Sequence, residues 1–237
     1  MKRIGIIGGL GPESTAEYYK EIINAFKNES NDLNYPEIII NSINMSQFLG
    51  LMKLKKYNEV TALLLEKIEA LKLAGAEFVA ISANTPHLLF DQLQELSTIP
   101  LLSIVEATCE EAVQQGLKRT GLFGTGFTMN ASFYSDVLTK QGIEVVIPDK
   151  KDRELINNKL FDEIEVGTFN DSTRNQLIAI IEKMVHEQQI DALILGCTEL
   201  PLILRDNYYA GIPMLDTTKI HVNAIVNYCR DLKYNQL

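Results

Sequence analysis

No apolar run in this chain comes near the length that a bilayer-spanning helix requires, so no such helix is expected. Basic residues are also in short supply. The 22 Lys and Arg side chains face 31 Asp and Glu, a formal net charge of -9, and they form no basic stripe. A surface with that bias repels nucleic acid and anionic membranes, and neither is expected as a partner. Any anionic ligand would need a local positive potential, such as backbone N–H groups at a helix start. The three cysteines, Cys109, Cys197 and Cys229, lack CxxC spacing, which indicates neither a disulfide framework nor a zinc site. Met1-Lys2-Arg3-Ile4 runs straight into strand-like sequence, leaving no room for a secretion signal, so a cytoplasmic protein is expected.

Short β-branched runs alternate with amphipathic stretches. Strands are predicted at Ile4–Ile7, Glu37–Ile40, Phe78–Ile81 and Leu101–Ile104, then at Thr120–Phe123, Glu144–Ile147, Ala192–Leu195 and Pro213–Leu215. Helical spacing covers Ser14–Phe26, Tyr57–Leu73 and Ser172–His186. Such alternation implies an α/β fold with parallel sheets flanked by helices. The chain also repeats its own plan. Arg3-Ile4-Gly5-Ile6-Ile7-Gly8 resembles Arg119-Thr120-Gly121-Leu122-Phe123-Gly124, about 116 positions later. Glu77 to Thr85 resembles Asp191 to Glu199 at an offset of about 114. Two stretches with nearly one offset indicate a duplication into two similar lobes, 1–116 and 117–237, with the C-terminal helix free to pack back on the first. The active site is then expected in the cleft between them, and the repeat pairs Ala83 with Cys197.

Ligands of open parallel sheets sit beyond the carboxyl ends of the strands, which directs attention to four loops. Gly8-Gly9-Leu10-Gly11-Pro12-Glu13-Ser14-Thr15 lacks both G-x-G-x-x-G spacing and the Gly-Lys-Ser/Thr of a P-loop, so it offers at most backbone approaching a small anion. Asn84 and Thr85 could orient a carboxylate, and His87 could serve as acid, base or cap. Thr125 and Thr128 present hydroxyls after the first strand of the second half. Cys197 follows a buried strand at a helix start, where the helix field is expected to favour thiolate, and Thr198 and Glu199 adjoin it. Cys109 and Cys229 fall inside helical patterns, the setting of inert buried thiols.

Together these loops resemble the aspartate/glutamate racemase family, the amino-acid racemases that work without pyridoxal phosphate. Gly8 to Thr15 is similar to its opening motif, Ala83-Asn84-Thr85-Pro86-His87 to its Cys-Asn-Thr-Ala-His segment, and Gly196-Cys197-Thr198-Glu199 to its second cysteine motif; Thr125 and Thr128 match its mid-chain threonines. The resemblance extends to Asp216 and His221. It implies proton transfer at the α-carbon by two thiols, one for each face, with no cofactor and no metal. It further implies substrate contacts from Leu10, Asn84, Thr85, Thr125, Thr128 and Thr198, auxiliary roles for His87 or Glu199, and a homodimer.

The chain departs from that pattern at Ala83, which stands where the family has its first cysteine. Gln47 and Phe48 stand where aspartate-specific members carry an arginine, and Glu165 takes the place of a lysine ahead of Val166-Gly167. The resemblance makes an amino-acid racemase the leading expectation, with aspartate as the first substrate and the activity lost or one-sided because of Ala83. A one-thiol decarboxylase of malonate-like acids and a non-catalytic amino-acid-binding protein remain open beside it.

Overall fold

Ile4, Ile6 and Ile7 are fully buried along β1 (Ile4–Gly8), the centre of a parallel sheet whose strands must be apolar on both faces. The structure, a computed structural model, describes residues 1–27 and 33–231. Around β1 follow α1 (Pro12–Lys27), β2 (Ile38–Ser42), α2 (Met45–Lys53), α3 (Tyr57–Leu73), β3 (Phe78–Ile81), α4 (Phe90–Leu96) and β4 (Leu101–Leu102). The strand order is β2-β1-β3-β4, all neighbours parallel. α5 (Ile104–Gln114) leads into β5 (Arg119–Gly124), α6 (Gly126–Asn130), α7 (Phe133–Leu138), β6 (Glu144–Val146), α8 (Lys150–Lys159), α9 (Asp171–Gln188), β7 (Ala192–Gly196), α10 (Leu200–Ile203), β8 (Tyr208–Tyr209), β9 (Ile212–Asp216) and α11 (Thr217–Cys229). The second sheet runs β6-β5-β7-β9-β8, with only the β8–β9 pair antiparallel.

The order β6-β5-β7-β9 repeats β2-β1-β3-β4 strand for strand. The registers repeat too. Ile7 faces Ile81 in the first sheet, and Phe123 faces Leu195 in the second. The duplication read from the sequence is therefore present as a repeated topology.

Two expectations change. The chain divides into one unit of Met1–Ala107 with the segment from Thr218 onward, and a second of Thr108–Thr217. The boundary falls inside α5 rather than after Gly116, while α11 packs back on the first unit, as the sequence left open. The reason is burial: Val222, Ile225, Val226 and Cys229 of α11 share a core with Ile4, Ile6, Tyr18 and Phe78. The strand predicted over Leu101–Ile104 stops at Leu102, because Ser103 caps a helix instead, accepting the Glu106 N–H at 3.2 Å. α2 and β8 are among the elements that went unread. The first is started by Asn44, whose side chain accepts the Gln47 N–H at 3.2 Å, and the second is only two residues long.

Candidate active site

In both sheets the chain leaves the central strand on one side and returns on the other, which puts the switch point between β1 and β3 and between β5 and β7. The loops beyond those strand ends are the ones singled out in the sequence.

The β1–α1 loop is held by tight backbone geometry. Gly9 and Gly11 have φ of +80° and +125°, and a Cβ on Gly9 would lie 2.3 Å from the Ile43 carbonyl oxygen. Pro12 opens α1, where its missing N–H costs nothing. The Gly9 N–H donates to Thr15 Oγ1 (2.9 Å), Ser14 Oγ donates to the Ser82 carbonyl (3.0 Å), and Ser82 Oγ donates to the Ile7 carbonyl (3.1 Å). These bonds clamp the glycine loop to the β3 loop. Leu10, Ala83 and Asn84 are all buried within that pair of loops. Thr85 begins a single 3-10 turn, Thr85–Leu89.

His87 is fully engaged. Its Nε2 accepts the Ile104 N–H at 3.2 Å, which leaves Nδ1 to donate to the Ala83 carbonyl at 3.0 Å. The ring stacks on Phe90, with centroids 5.1 Å apart. Burial lowers its pKa to about 4. His87 is thus a neutral strut that fixes the backbone of Ala83 rather than a free acid or base. His221 is a second buried neutral histidine: Tyr18 Oη lies 2.9 Å from Nδ1 and the Leu102 carbonyl 3.1 Å from Nε2, and its pKa is lowered to about 3.

In the second unit Thr125 caps α6 and lies 3.3 Å, oxygen to oxygen, from Thr128, which is fully buried. Gly124 and Gly196 are neighbours across β5 and β7. A Cβ on Gly196 would come within 2.8 Å of the Phe123 carbonyl oxygen, so glycine permits the close approach of the two strand ends. Immediately beyond lies Cys197, 6% exposed. Its Sγ donates to Glu199 Oε2 at 3.1 Å, and Thr198 Oγ1 donates to the same oxygen at 3.0 Å.

The electrostatics of Cys197 reverse the expectation drawn from its helix start. Burial, then the charges of Glu199 and Glu165, push the thiol well above its ordinary value. α10 has only four residues, too short for its dipole to outweigh two carboxylates. The unliganded protein therefore carries Cys197 as a thiol. Glu165 itself follows a π-helical turn, Leu160–Ile164, that extends α8, and burial and Glu199 push its carboxyl up to about 7.

Glu165 is the site residue that motif reading missed. The sequence marked it as an oddity of resemblance, and no local spacing ties it to a thiol so far along the chain. The fold brings ligand atoms of Glu165, Cys197 and Glu199 within 4.8 Å of one another. Among the described residues no helix is long and apolar enough to cross a membrane.

Two repeats of one parallel-sheet plan, each with small and hydroxyl residues at its switch point and one with a thiol there, define a duplicated α/β protein. The chain belongs to the Asp/Glu/hydantoin racemase family, whose description matches residues 7–225. It is 27% identical over 227 residues to the broad specificity amino-acid racemase RacX of Bacillus subtilis, covering 94% of this chain and 96% of that one. Among solved structures it is similar to an aspartate racemase homologue from Pyrococcus horikoshii (36% identity, TM-score 0.84, 97% of this chain and 100% of that one). It shares the fold of the Picrophilus torridus aspartate racemase at 22% identity, with a TM-score of 0.79 and coverage of 99% and 96%.

Proposed function

We propose that this protein is an amino-acid racemase, an isomerase that moves the α-proton of a free amino acid through Cys197 without pyridoxal phosphate or metal. The observation that carries the reading is the placement of Cys197, a buried thiol at the switch-point end of β7 in a chain of the racemase family. The α-hydrogen is a very weak acid, so general-base catalysis, worth roughly 10²–10⁴-fold, needs help from stabilisation of the carbanionic intermediate. Thr198, Thr125, Thr128, Asn84, Thr85 and the backbone at Leu10 are the groups for holding the substrate's carboxylate and ammonium. Glu199 acts as a positioning residue, since its Oε2 accepts a hydrogen bond from the Cys197 thiol at 3.1 Å and fixes the Sγ.

Racemisation needs a proton carrier for each face of the α-carbon. Ala83, the counterpart of Cys197 in the repeat, has no exchangeable proton. The activity is accordingly one-sided: one enantiomer loses its α-hydrogen readily, and net racemisation is slow. The test is exchange of the α-proton in deuterated water, followed by NMR for both enantiomers. Cys197→Ser is expected to lower exchange by at least about 10²-fold while the protein stays folded, because an alcohol is a far weaker acid than a thiol. Exchange that survives the substitution unchanged removes the proposal.

A further inference from the structure

We propose that a polar cavity beside α6 and α8 is a second ligand site, for a small carboxylate that also carries neutral hydrogen-bonding groups. The cavity has a volume of about 470 Å³, and Gly126, Asn130, Lys150, Arg153, Glu154 and Asn157 line it. None of Glu165, Cys197, Thr198 and Glu199 is part of that lining. Its polar side chains are already oriented. Asn157 Oδ1 accepts the Gly126 N–H at 2.7 Å, and Asn130 Nδ2 donates to the Gly126 carbonyl at 2.7 Å. Asn130 Oδ1 in turn accepts from Arg153 Nη1. These partners fix which end of each amide donates and which side of the guanidinium is taken. What they leave over is Asn157 Nδ2 and the other edge of Arg153, made of Nε and Nη2.

The observation that points to a ligand is Arg153 Nε, a buried donor with no hydrogen-bond partner among the described residues. An orphaned donor is costly, and an acceptor that enters beside the guanidinium draws this edge onto itself and removes the cost. Nε–H and Nη2–H form the planar fork that matches the two oxygens of a carboxylate. The carboxylates nearest in sequence are committed elsewhere: Asp149 and Asp152 pair with Lys183, and Glu154 lies 3.9 Å from Lys150. Charge agrees with a single anion. Lys150 and Arg153 bring two positive charges to the lining and Glu154 one negative, a net of +1. A monocarboxylate balances that surplus, whereas a phosphate dianion exceeds it. The volume falls in the ordinary range of roughly 300–1,000 Å³ for small-molecule sites, more than a bare carboxylate fills. The rest of the ligand therefore meets uncharged amides, which suits hydroxyl or amide groups. The occupant is held beside Gly126, the residue next to Thr125.

The experiment is an NMR titration of the full chain labelled with nitrogen-15, read on the Arg153 Nε–H and Gly126 amide signals. The probes are gluconate, a hydroxylated monocarboxylate, and N-acetylglycine, a monocarboxylate with an amide. Sorbitol and inorganic phosphate are the controls, all at one ionic strength. At least one carboxylate should give saturable shifts of both signals with a Kd of the order of 1–10 mM, and sorbitol should give none. Arg153→Gln should weaken binding about tenfold or more, read on Gly126. Glu154→Gln should tighten it about two- to threefold, because it removes the negative charge of the lining and frees Lys150. Glu154 is exposed, so this gain does not depend on the fold tolerating a change at Arg153, and it decides the matter if Arg153→Gln fails to fold. Absence of a saturable shift with either carboxylate overturns the inference. So do equal shifts with sorbitol, tighter binding of phosphate than of both carboxylates, or an affinity that Glu154→Gln leaves unmoved.

Discussion

Ala83 and Cys197 hold the same position in two copies of one strand plan. Ala83 stands two residues beyond Ile81, which pairs with Ile7 of the central strand; Cys197 stands two residues beyond Leu195, which pairs with Phe123 of its central strand. One copy carries a thiol and the other a methyl group. Both side chains are small and buried.

Acid should weaken the first unit through its histidines. His87 and His221 have folded pKa values lowered to about 4 and about 3, against about 6.5 in an unfolded chain. Their stabilisation is complete above pH 6.5 and is lost as pH falls towards those values, by up to about 1.4 kcal/mol per pH unit for each ring. Urea melts between pH 7 and pH 5 check this. His87→Asn should be less stable than wild type at pH 7, with a shallower loss as pH falls. An unchanged slope would mean that the fold does not lower the pKa of His87.

Glu165 should act with the opposite sign. Its folded pKa, pushed up to about 7, lies above the ordinary carboxyl value of 4.5. Its penalty is absent below that value, builds as pH rises towards 7, and levels off above it at the order of 2–3 kcal/mol. Glu165→Gln is therefore expected to be more stable than wild type at pH 8 and nearly equal to it at pH 4.5. A stability difference independent of pH would place the Glu165 carboxylate in water.

Metal should inhibit rather than support the reaction. A thiol and two carboxylates with ligand atoms within 4.8 Å suit Zn²⁺, whose binding would hold Cys197 as a metal-bound thiolate unable to accept a proton. Micromolar Zn²⁺ should suppress α-exchange and EDTA should restore it, while EDTA alone leaves the rate unchanged. A loss of exchange on chelation would make the metal a participant.

The parts legible in the sequence were those carried by local pattern. β3 and α3 were read to the residue because a short apolar run and a long 3.6-residue periodicity leave few alternatives. The Cys197 loop was legible because it follows such a strand. Ile104 was misread because a β-branched run says nothing of the Ser103 cap in its midst. The state of the thiol was misread for a different reason. A helix start is visible locally, whereas the opposing carboxylate of Glu165 arrives from another helix through tertiary packing. His87 looked like a catalytic candidate until the Ile104 N–H and Ala83 carbonyl accounted for both ring nitrogens.

The most instructive substitution is Ala83→Cys. On the proposed mechanism Cys197 alone exchanges a proton at the α-carbon, so deuterium should enter one enantiomer and not its mirror image. A cysteine at the equivalent position of the other copy would supply the second carrier. The backbone there is already fixed, because the Ala83 carbonyl is held by His87 Nδ1 at 3.0 Å and the preceding Ser82 by Ile7 and Ser14. Ala83 is 5% exposed, so a sulfur adds volume in a packed loop, and a loss of about 1–3 kcal/mol in stability is the expected cost of overpacking. Exchange should then become comparable for both enantiomers of the preferred amino acid, and optical rotation should decay to zero where the wild type leaves it nearly constant. A proton carrier must come within about 3–3.5 Å of the reacting atom, so even a modest misplacement would show as a partial gain. Ala83→Ser controls for size without the acidity of a thiol and should gain little. If Ala83→Cys folds, keeps the exchange of the original enantiomer and gains none with the other, position 83 is not a site of proton delivery. The repeat would then be a record of duplication without a mechanistic counterpart to Cys197.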